Sequence, residues 1–346
     1  MQTSALFRRL SVVTLLVTFG HLLFGNIVSG TDSGMGCGPH WPLCQGQLFP
    51  PLTDPALVIE WTHRLFAVLV SVSILATTLV AWRRERRFLG LATASLVLVI
   101  VVGIFGGITV LLELPKALST AHFALGTLLF ALLVVLTSLS FGLASRSPLP
   151  PDFVWTVRLR QPPAGEDERQ AKLAEPGPPS PLGKGAGGLG LVPGERLSDT
   201  THRWALASVI LIYLQSVLGA YVRHSQAGMA LPLWPFLTFF PNLAVSPIAH
   251  QWSHRLVALI VLGAVSITAA RAIRAGYPIL GIGSLVLVLI QIALGVLTVW
   301  TLLNPVMAML HLAGALGLLG LQIVLVVRSW PRPEKVSSRA FVGEVL

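Results

Sequence analysis

The stretch ALVIEWTHRLFAVLVSVSILATTLVA, residues 56–81, has the length and apolar character of a helix that crosses a bilayer, although a glutamate and a histidine lie near its start. Seven further apolar stretches of similar character occur along the chain. The sequence therefore predicts an all-α integral membrane protein with eight transmembrane helices. They are predicted at residues 10–30, 56–81, 88–112, 117–143, 204–222, 249–270, 278–303 and 306–327.

The composition excludes a soluble globule. Of the 346 residues, 54% are hydrophobic and only 11% are charged, whereas an average soluble domain has roughly 25% charged residues. The net charge of +10 predicts no nucleic-acid partner, because Lys and Arg concentrate in the segments on one side of the predicted helices. The positive-inside rule places both termini in the cytoplasm, with membrane lipid around the helices.

A segment rich in Pro and Gly, residues 144–203, interrupts the helices and predicts a flexible cytoplasmic linker. It separates an N-terminal four-helix bundle, residues 1–143, from a C-terminal four-helix bundle, residues 204–330. Residues 331–346 are predicted to form a cytoplasmic tail.

The two predicted bundles share polar motifs that a lipid-facing helix does not need. Residues 60–65, EWTHRL, match residues 251–256, QWSHRL, and GGITV at 106–110 matches GVLTV at 295–299. Because four spans return the chain to the side on which it started, the bundles are predicted to be parallel repeats related by an axis along the membrane normal. This arrangement disfavours an inverted-repeat transporter.

Four histidines, two in each predicted bundle, lie at matched depth inside their helices. Each follows a proline near the start of its helix by six to eight residues, which corresponds to roughly 9–12 Å. An ionisable side chain within a span requires a partner or a function, and paired imidazoles between facing helices suit the iron of a haem. Hydrogen-bonded core histidines are the alternative interpretation. The four residues are His63, His122, His254 and His311.

Other polar residues near these histidines differ between the two halves. Glu60 lies one turn before His63 and is either a candidate acid or base or a polar helix end. The matching residue is Gln251, which argues against a di-iron site because such a site needs a second Glu-x-x-His motif. Arg64 and Arg255 are candidates for binding haem propionates, or for reaching the membrane surface.

The chain has two cysteines, Cys37 and Cys44, both in the first outer loop. On an oxidising face of the membrane this spacing permits a disulfide, which serves either as a loop staple or as a redox group. The second half has no equivalent cysteines.

The remaining histidines are weaker candidates for function. One of them, His21, lies in the middle of the first predicted helix without a repeat partner. They are interpreted as structural, with the exception of His250, which precedes His254 by one helical turn. The group comprises His21, His40, His202, His224 and His250.

Taken together, these motifs resemble the haem A synthase family, whose members are membrane enzymes that convert haem O to haem A. The resemblance extends over all eight predicted spans. It implies that haem O, the substrate, binds between His63 and His122, and that haem b, a cofactor, binds between His254 and His311. It is carried by Glu-x-x-His-Arg at 60–64, the Cys-x6-Cys loop with its Trp-Pro, Ser-His-Arg at 253–255, His122 and His311.

The same resemblance implies roles for residues that the spacing leaves open. Glu60 would assist catalysis, and Cys37 and Cys44 would form a disulfide beside the catalytic half. The reaction would oxidise the C8 methyl group of haem O stepwise to a formyl group, giving haem A for terminal oxidase assembly. The expected setting is a bacterial inner membrane, with haem O synthase and the cytochrome oxidase assembly machinery as partners, and a homo-oligomer is left open.

Two other functions are compatible with parts of the pattern. A non-catalytic di-haem b electron carrier explains the paired histidines, but a transmembrane wire is expected to place one haem near each face rather than all four histidines toward one side. A small-molecule transporter explains the repeat but not the histidine depths.

Overall fold

The computed structural model describes residues 3–51, 53–143, 193–232 and 246–330. Within these ranges the chain forms eight long helices, each long and apolar enough to cross a membrane. The predicted all-α, eight-span fold is confirmed. The helices are α1 Ala5–Gly30, α2 Pro55–Arg84, α3 Leu89–Leu111, α4 Lys116–Ser140, α5 Pro193–His224, α6 Ser246–Arg274, α7 Pro278–Trp300 and α8 Pro305–Ser329.

Proline and a capping side chain define where several helices begin on the predicted outer side. The Asp54 carboxylate accepts a hydrogen bond from the Ala56 amide at 2.9 Å, and Pro55 occupies the first turn of α2. Asn304 caps α8 in the same way, ahead of Pro305. Proline fits there because the first amides of a helix have no carbonyl partner within it.

Helix α5 begins earlier than its apolar stretch. It starts at Pro193, inside the segment predicted as linker, whereas the sequence placed the span at 204–222. The added residues read PGERLSDTTHR and are too polar for hydropathy to detect, although they are compatible with a helix that begins at a proline. Residues 144–192 and the tail 331–346 lie outside the described residues, so the division into domains stays a prediction.

The helices pack in two groups of four with the same pairings in each. In the first bundle, α1 contacts α2 and α4, while α3 contacts α2 and α4; in the second bundle, α5 contacts α6 and α8, while α7 contacts α6 and α8. The bundles meet through α1 and α4 on one side and α5 and α8 on the other. The parallel-repeat relation between them stays a prediction.

The core of the molecule lies where α4 meets α8. Phe130 and Val134 of α4 belong to the same buried cluster as Leu316 and Leu319 of α8. Gly320 of α8 faces these two α4 side chains, which pack against the α8 backbone at this place. Van der Waals packing of these large apolar side chains holds the two bundles together in lipid.

Hydroxyl pairs join the first two helices of each bundle at equivalent places. Thr14 on α1 lies 2.9 Å, oxygen to oxygen, from Thr77 on α2, and Ser208 on α5 lies 2.9 Å from Thr268 on α6. All four residues are buried. Hydrogen bonds of this kind stabilise helix pairs in lipid, where the hydroxyls have no water to bind.

Glu85, at the C-terminal end of α2, ties the start of α1 to the turn between α2 and α3. Its carboxylate accepts a hydrogen bond from the Ser4 amide at 2.6 Å and pairs with Arg87 at 3.3 Å. Burial raises the pKa of Glu85, but the hydrogen bonds from Ser4 and the charge of Arg87 outweigh it and hold the pKa below its ordinary value. The charged form therefore stabilises the fold.

We expect Glu85→Gln to lower the free energy of unfolding by about 1 kcal/mol at neutral pH, because the ion pair and the charge-assisted hydrogen bond are lost. The folded-state pKa is depressed, so the contribution is present above the unfolded pKa and is lost as the pH falls. Thermal unfolding in detergent should show a gap between wild type and variant that narrows below about pH 4. A gap of equal size for the exposed Glu113→Gln control would contradict this prediction.

Candidate functional site

The predicted histidine pairs lie inside the two bundles. In the first bundle, His63 on α2 lies near His122 on α4, and in the second His254 on α6 lies near His311 on α8. All four side chains are partly buried. The structure thus brings together the residues that the sequence paired.

Each of these imidazoles faces a glycine on the neighbouring helix. A Cβ atom placed on that glycine would lie only 2.9 to 3.1 Å from the nearest ring atom, which is closer than carbon atoms approach without repulsion. Any larger residue would therefore displace the imidazole. The pairs are Gly25 with His63, Gly106 with His122, Gly219 with His254, and Gly295 with His311.

The second histidine of each pair has a fixed ring orientation. Nδ1–H of His122 donates to the Val102 carbonyl oxygen at 3.0 Å, and Nδ1–H of His311 donates to the Gln291 carbonyl oxygen at 3.1 Å. A carbonyl only accepts, so Nδ1 carries the proton and Nε2 keeps its lone pair. This is how proteins orient a histidine that binds a metal through Nε2.

Two half-buried glutamine side chains lie beside the histidines of the second bundle. Gln215 Nε2 is 3.1 Å from His254 Nδ1 and donates to the His254 carbonyl oxygen at 2.9 Å. Gln291 Nε2 is 3.1 Å from His311 Nδ1. Sequence analysis missed both glutamines, although the offset that relates Gly25 to Gly219 leads from His21 to Gln215 and would have found the first of them.

The Glu60 side chain anchors the first outer loop. It is buried, with 3% of its surface exposed. One carboxylate oxygen accepts a hydrogen bond from the Cys37 amide at 2.7 Å, and the other pairs with Arg64. The disulfide between Cys37 and Cys44 is present, as the family resemblance implied. Glu60 therefore joins the disulfide loop to the helix that carries His63.

The two predicted propionate-binding arginines also contact the outer loops. Arg64 Nη1 donates to the carbonyl oxygens of His40 and Leu43, each at 2.9 Å. Arg255 Nη2 donates to the Leu231 carbonyl oxygen. These contacts place both guanidinium groups at the outer ends of α2 and α6, and propionate binding by them stays a prediction.

The second bundle uses a neutral residue where the first has Glu60. Gln251 Oε1 accepts a hydrogen bond from the Leu231 amide, and its Nε2 donates to the Gly228 carbonyl oxygen at 2.6 Å. Its side chain is as buried as that of Glu60. The same loop attachment is thus made in both bundles, but only the first includes a carboxylate.

The disulfide loop reaches the helix next to the first histidine pair. A Cβ atom on Gly107 of α3 would lie 2.7 Å from the Trp41 indole ring, so the indole lies directly on the α3 backbone. Gly107 follows Gly106, the glycine that faces His122. The loop therefore covers the outer side of the first bundle.

A comparison with protein families agrees with this geometry. The family model COX15-CtaA, described as a cytochrome oxidase assembly protein, matches residues 8–159 and 191–323 of the chain. The chain belongs to this family. The resemblance stated from the sequence motifs is therefore confirmed.

Bacterial members of the COX15-CtaA family are similar to the chain over almost its whole length. The haem A synthase of Geobacillus thermodenitrificans is 28% identical over 335 residues, which cover 92% of this chain and 91% of that protein. The haem A synthase of Geobacillus kaustophilus is 29% identical over 346 residues, covering 95% and 94%. That of Lysinibacillus sphaericus is 28% identical over 325 residues, covering 89% and 91%. With its eight spans, the chain is a multi-pass bacterial membrane protein.

The donor groups of this COX15-CtaA protein fit haem better than a bare metal ion. Within the residues that the structure describes, no three His, Cys, Asp or Glu side chains form a group able to hold a metal. Paired imidazoles, with the Nδ1 proton of His122 and of His311 directed away from Nε2, suit an iron already bound by a porphyrin. The glycines that face the imidazoles keep the space beside them clear of side chains.

We expect Gly106→Ala to lower the affinity for bound haem about tenfold, because the added methyl group would displace the His122 ring. A loss of about 1.4 kcal/mol in binding free energy corresponds to that factor. Gly103→Ala is the matched control, since Gly103 lies one turn earlier on α3 and a Cβ there meets no described atom within 4 Å. Haem per chain and the visible spectrum of the purified protein measure the effect. Equal haem binding by the two variants would show that the glycine contact is not a constraint.

Proposed function

We propose that this protein is a haem A synthase, an oxidoreductase that oxidises the C8 methyl group of haem O to a formyl group and so supplies haem A for terminal oxidase assembly. The difference between its two bundles carries the proposal. Both bundles hold a histidine pair, but only the first has a buried carboxylate and a disulfide loop beside it. The relatives named haem A synthase support the same activity.

In this proposal the first bundle binds the substrate. His63 and His122 ligate the iron of haem O from two helices, and the tautomer of His122 leaves Nε2 available for it. The disulfide loop and the Trp41 indole cover the outer side of the site. His63 and His122 are catalytic residues in the sense that they hold the substrate in position for oxidation.

The second bundle holds haem b as a resident cofactor. His254 and His311 are its ligands; the Gln215 amide lies beside the His254 ring, and the Gln291 backbone carbonyl oxygen accepts a hydrogen bond from His311 Nδ1. Haem b supplies one-electron transfer when bound. The side chains around it include no counterpart of Glu60, which suits a group that carries electrons and releases no product.

Glu60 has two tasks in the first bundle. Its hydrogen bond from the Cys37 amide holds the loop over the substrate. Oxidation of a methyl group releases protons, and the Glu60 carboxylate lies on the same face of α2 as His63, one turn away, where it can accept one. Arg64 stabilises the charged carboxylate until then.

The proposed setting follows from the same assignment. The protein lies in a bacterial inner membrane with both termini in the cytoplasm, as the distribution of Lys and Arg predicts. It receives haem O from haem O synthase and delivers haem A to cytochrome oxidase assembly. The four glycine–histidine pairs all lie toward the outer side, which disfavours the alternative of a transmembrane di-haem b wire.

We expect Glu60→Gln to reduce haem A formation about a hundredfold, the range in which loss of a general acid or base falls. The second bundle has Gln251 at the matching position, where its side chain accepts a hydrogen bond from the loop amide of Leu231. Glu60→Gln therefore removes the charge and retains the loop contact. Glu60→Ala removes both. The measurement is separation of extracted haems from a host that makes haem O and no haem A.

The exposed Glu113→Gln variant is the control, because it removes an acidic group from the same side of the membrane. It should make haem A at the wild-type rate. Wild-type haem A formation by Glu60→Gln would remove Glu60 from the chemistry. A wild-type protein that binds haem b and leaves haem O unchanged would instead be an electron carrier.

A further inference from the structure

A third histidine lies in the first bundle beside the predicted pair. His21, on α1, stacks on His63 of α2 with ring centroids 4.4 Å apart and planes 19° from parallel. It is one turn before Gly25, the glycine that faces the same imidazole. His21 and Gly25 therefore share the face of α1 that borders the histidine pair.

Within the described part of the chain, His21 Nδ1 is buried and has no hydrogen-bond partner. A buried polar atom without a partner costs free energy, and more so in a membrane, where water does not replace the missing bond. Stacking on His63 does not satisfy this nitrogen, because a stacked ring presents its face and not a donor or acceptor. The nitrogen is therefore available to a group that the protein binds.

His21 also lies on the same side of the site as His63. Both imidazoles lie near His122. Because the stacked rings are nearly parallel, their edges border the same space. Two side chains of the kind that ligates haem iron thus lie side by side near His122.

The second bundle has no such duplication. The position that matches His21 is Gln215, whose Nε2 lies 3.1 Å from His254 Nδ1, whereas His21 stacks on His63. The Gln215 Nε2 also donates to the His254 carbonyl oxygen at 2.9 Å, and its Oε1 has no hydrogen-bond partner in the described part of the chain. A carboxamide is not among the axial ligands that proteins use for haem. The imidazole of His21 therefore distinguishes the proposed substrate-binding bundle from the bundle proposed to hold haem b, which has Gln215 at the matching position.

We propose that His21 is an alternative axial ligand for the haem in the first bundle, able to replace His63 on its side of the iron. This inference rests on the proposed function, since it takes haem O to be the group bound there. A substrate haem must enter and its product must leave, so axial bonds break in every turnover. When the iron–nitrogen bond to His63 breaks, a bond to His21 forms, with no transfer of an electron or proton.

The test uses the full-length protein, purified from a host that makes haem O, with visible and electron paramagnetic resonance spectra to report the spin state. Two nitrogen ligands give low-spin haem, whereas one gives high-spin haem. We expect His63→Ala to keep a low-spin haem in the first bundle because His21 takes the vacant side. His21→Ala/His63→Ala should turn that haem high-spin and reduce its amount about tenfold.

The second bundle provides the matched control. His254→Ala should give high-spin haem b directly, because Gln215 does not ligate iron. Adding the change Gln215→His to that variant should restore the low-spin signal, since it places an imidazole where the first bundle has His21. In the variants of the first bundle, an unchanged low-spin haem b shows that the protein is folded.

The possible results separate this inference from the function on which it rests. A high-spin haem in His63→Ala, identical to that in the double variant and with haem b intact, would overturn the role of His21 while leaving the synthase unaffected. A wild-type protein that holds no haem O and makes no haem A would overturn the proposed function, and the role of His21 with it.

Discussion

The contact between an imidazole and a glycine on the next helix is the constraint around which this membrane protein is arranged. It occurs four times, twice in each bundle, and each instance requires a helix backbone to lie within van der Waals distance of a histidine ring. The glycine positions therefore determine the helix spacing, and the spacing determines where each imidazole points. Lipid provides no hydrophobic force that would hold the helices together otherwise, so close backbone approach has to do so.

Much of this arrangement was predictable from sequence, because each part leaves a local signal. Hydropathy located the eight spans, prolines with capping residues located their outer ends, and the repeated QWSHRL-like motif located the histidines. The start of α5 was not predictable, because its first turns are polar and hydropathy responds only to the apolar part. The carbonyl oxygens that orient His122 and His311 were not predictable either, since a backbone acceptor has no sequence signal.

The two bundles differ in a consistent direction. Glu60 and His21 of the first bundle correspond to Gln251 and Gln215 of the second. The two glutamines form hydrogen bonds, but a carboxamide neither ionises nor ligates haem iron. Glu60 and Gln251 show the shared part of the arrangement, because each accepts a hydrogen bond from a backbone amide of the neighbouring outer loop. The two bundles thus share this hydrogen bond from a loop amide, but only the first makes it with a carboxylate.

Helices α4 and α8 lie at the centre of the molecule, where the two bundles meet. Each carries one histidine of a pair, His122 or His311, and the two helices pack against each other through Gly320 with large apolar side chains around the contact. Tyr213 on α5 adds a hydrogen bond to the Ala124 carbonyl oxygen of α4. Under the proposed function, electrons passing between the two bundles would cross the α4–α8 contact, where buried apolar side chains keep the surroundings low in polarity.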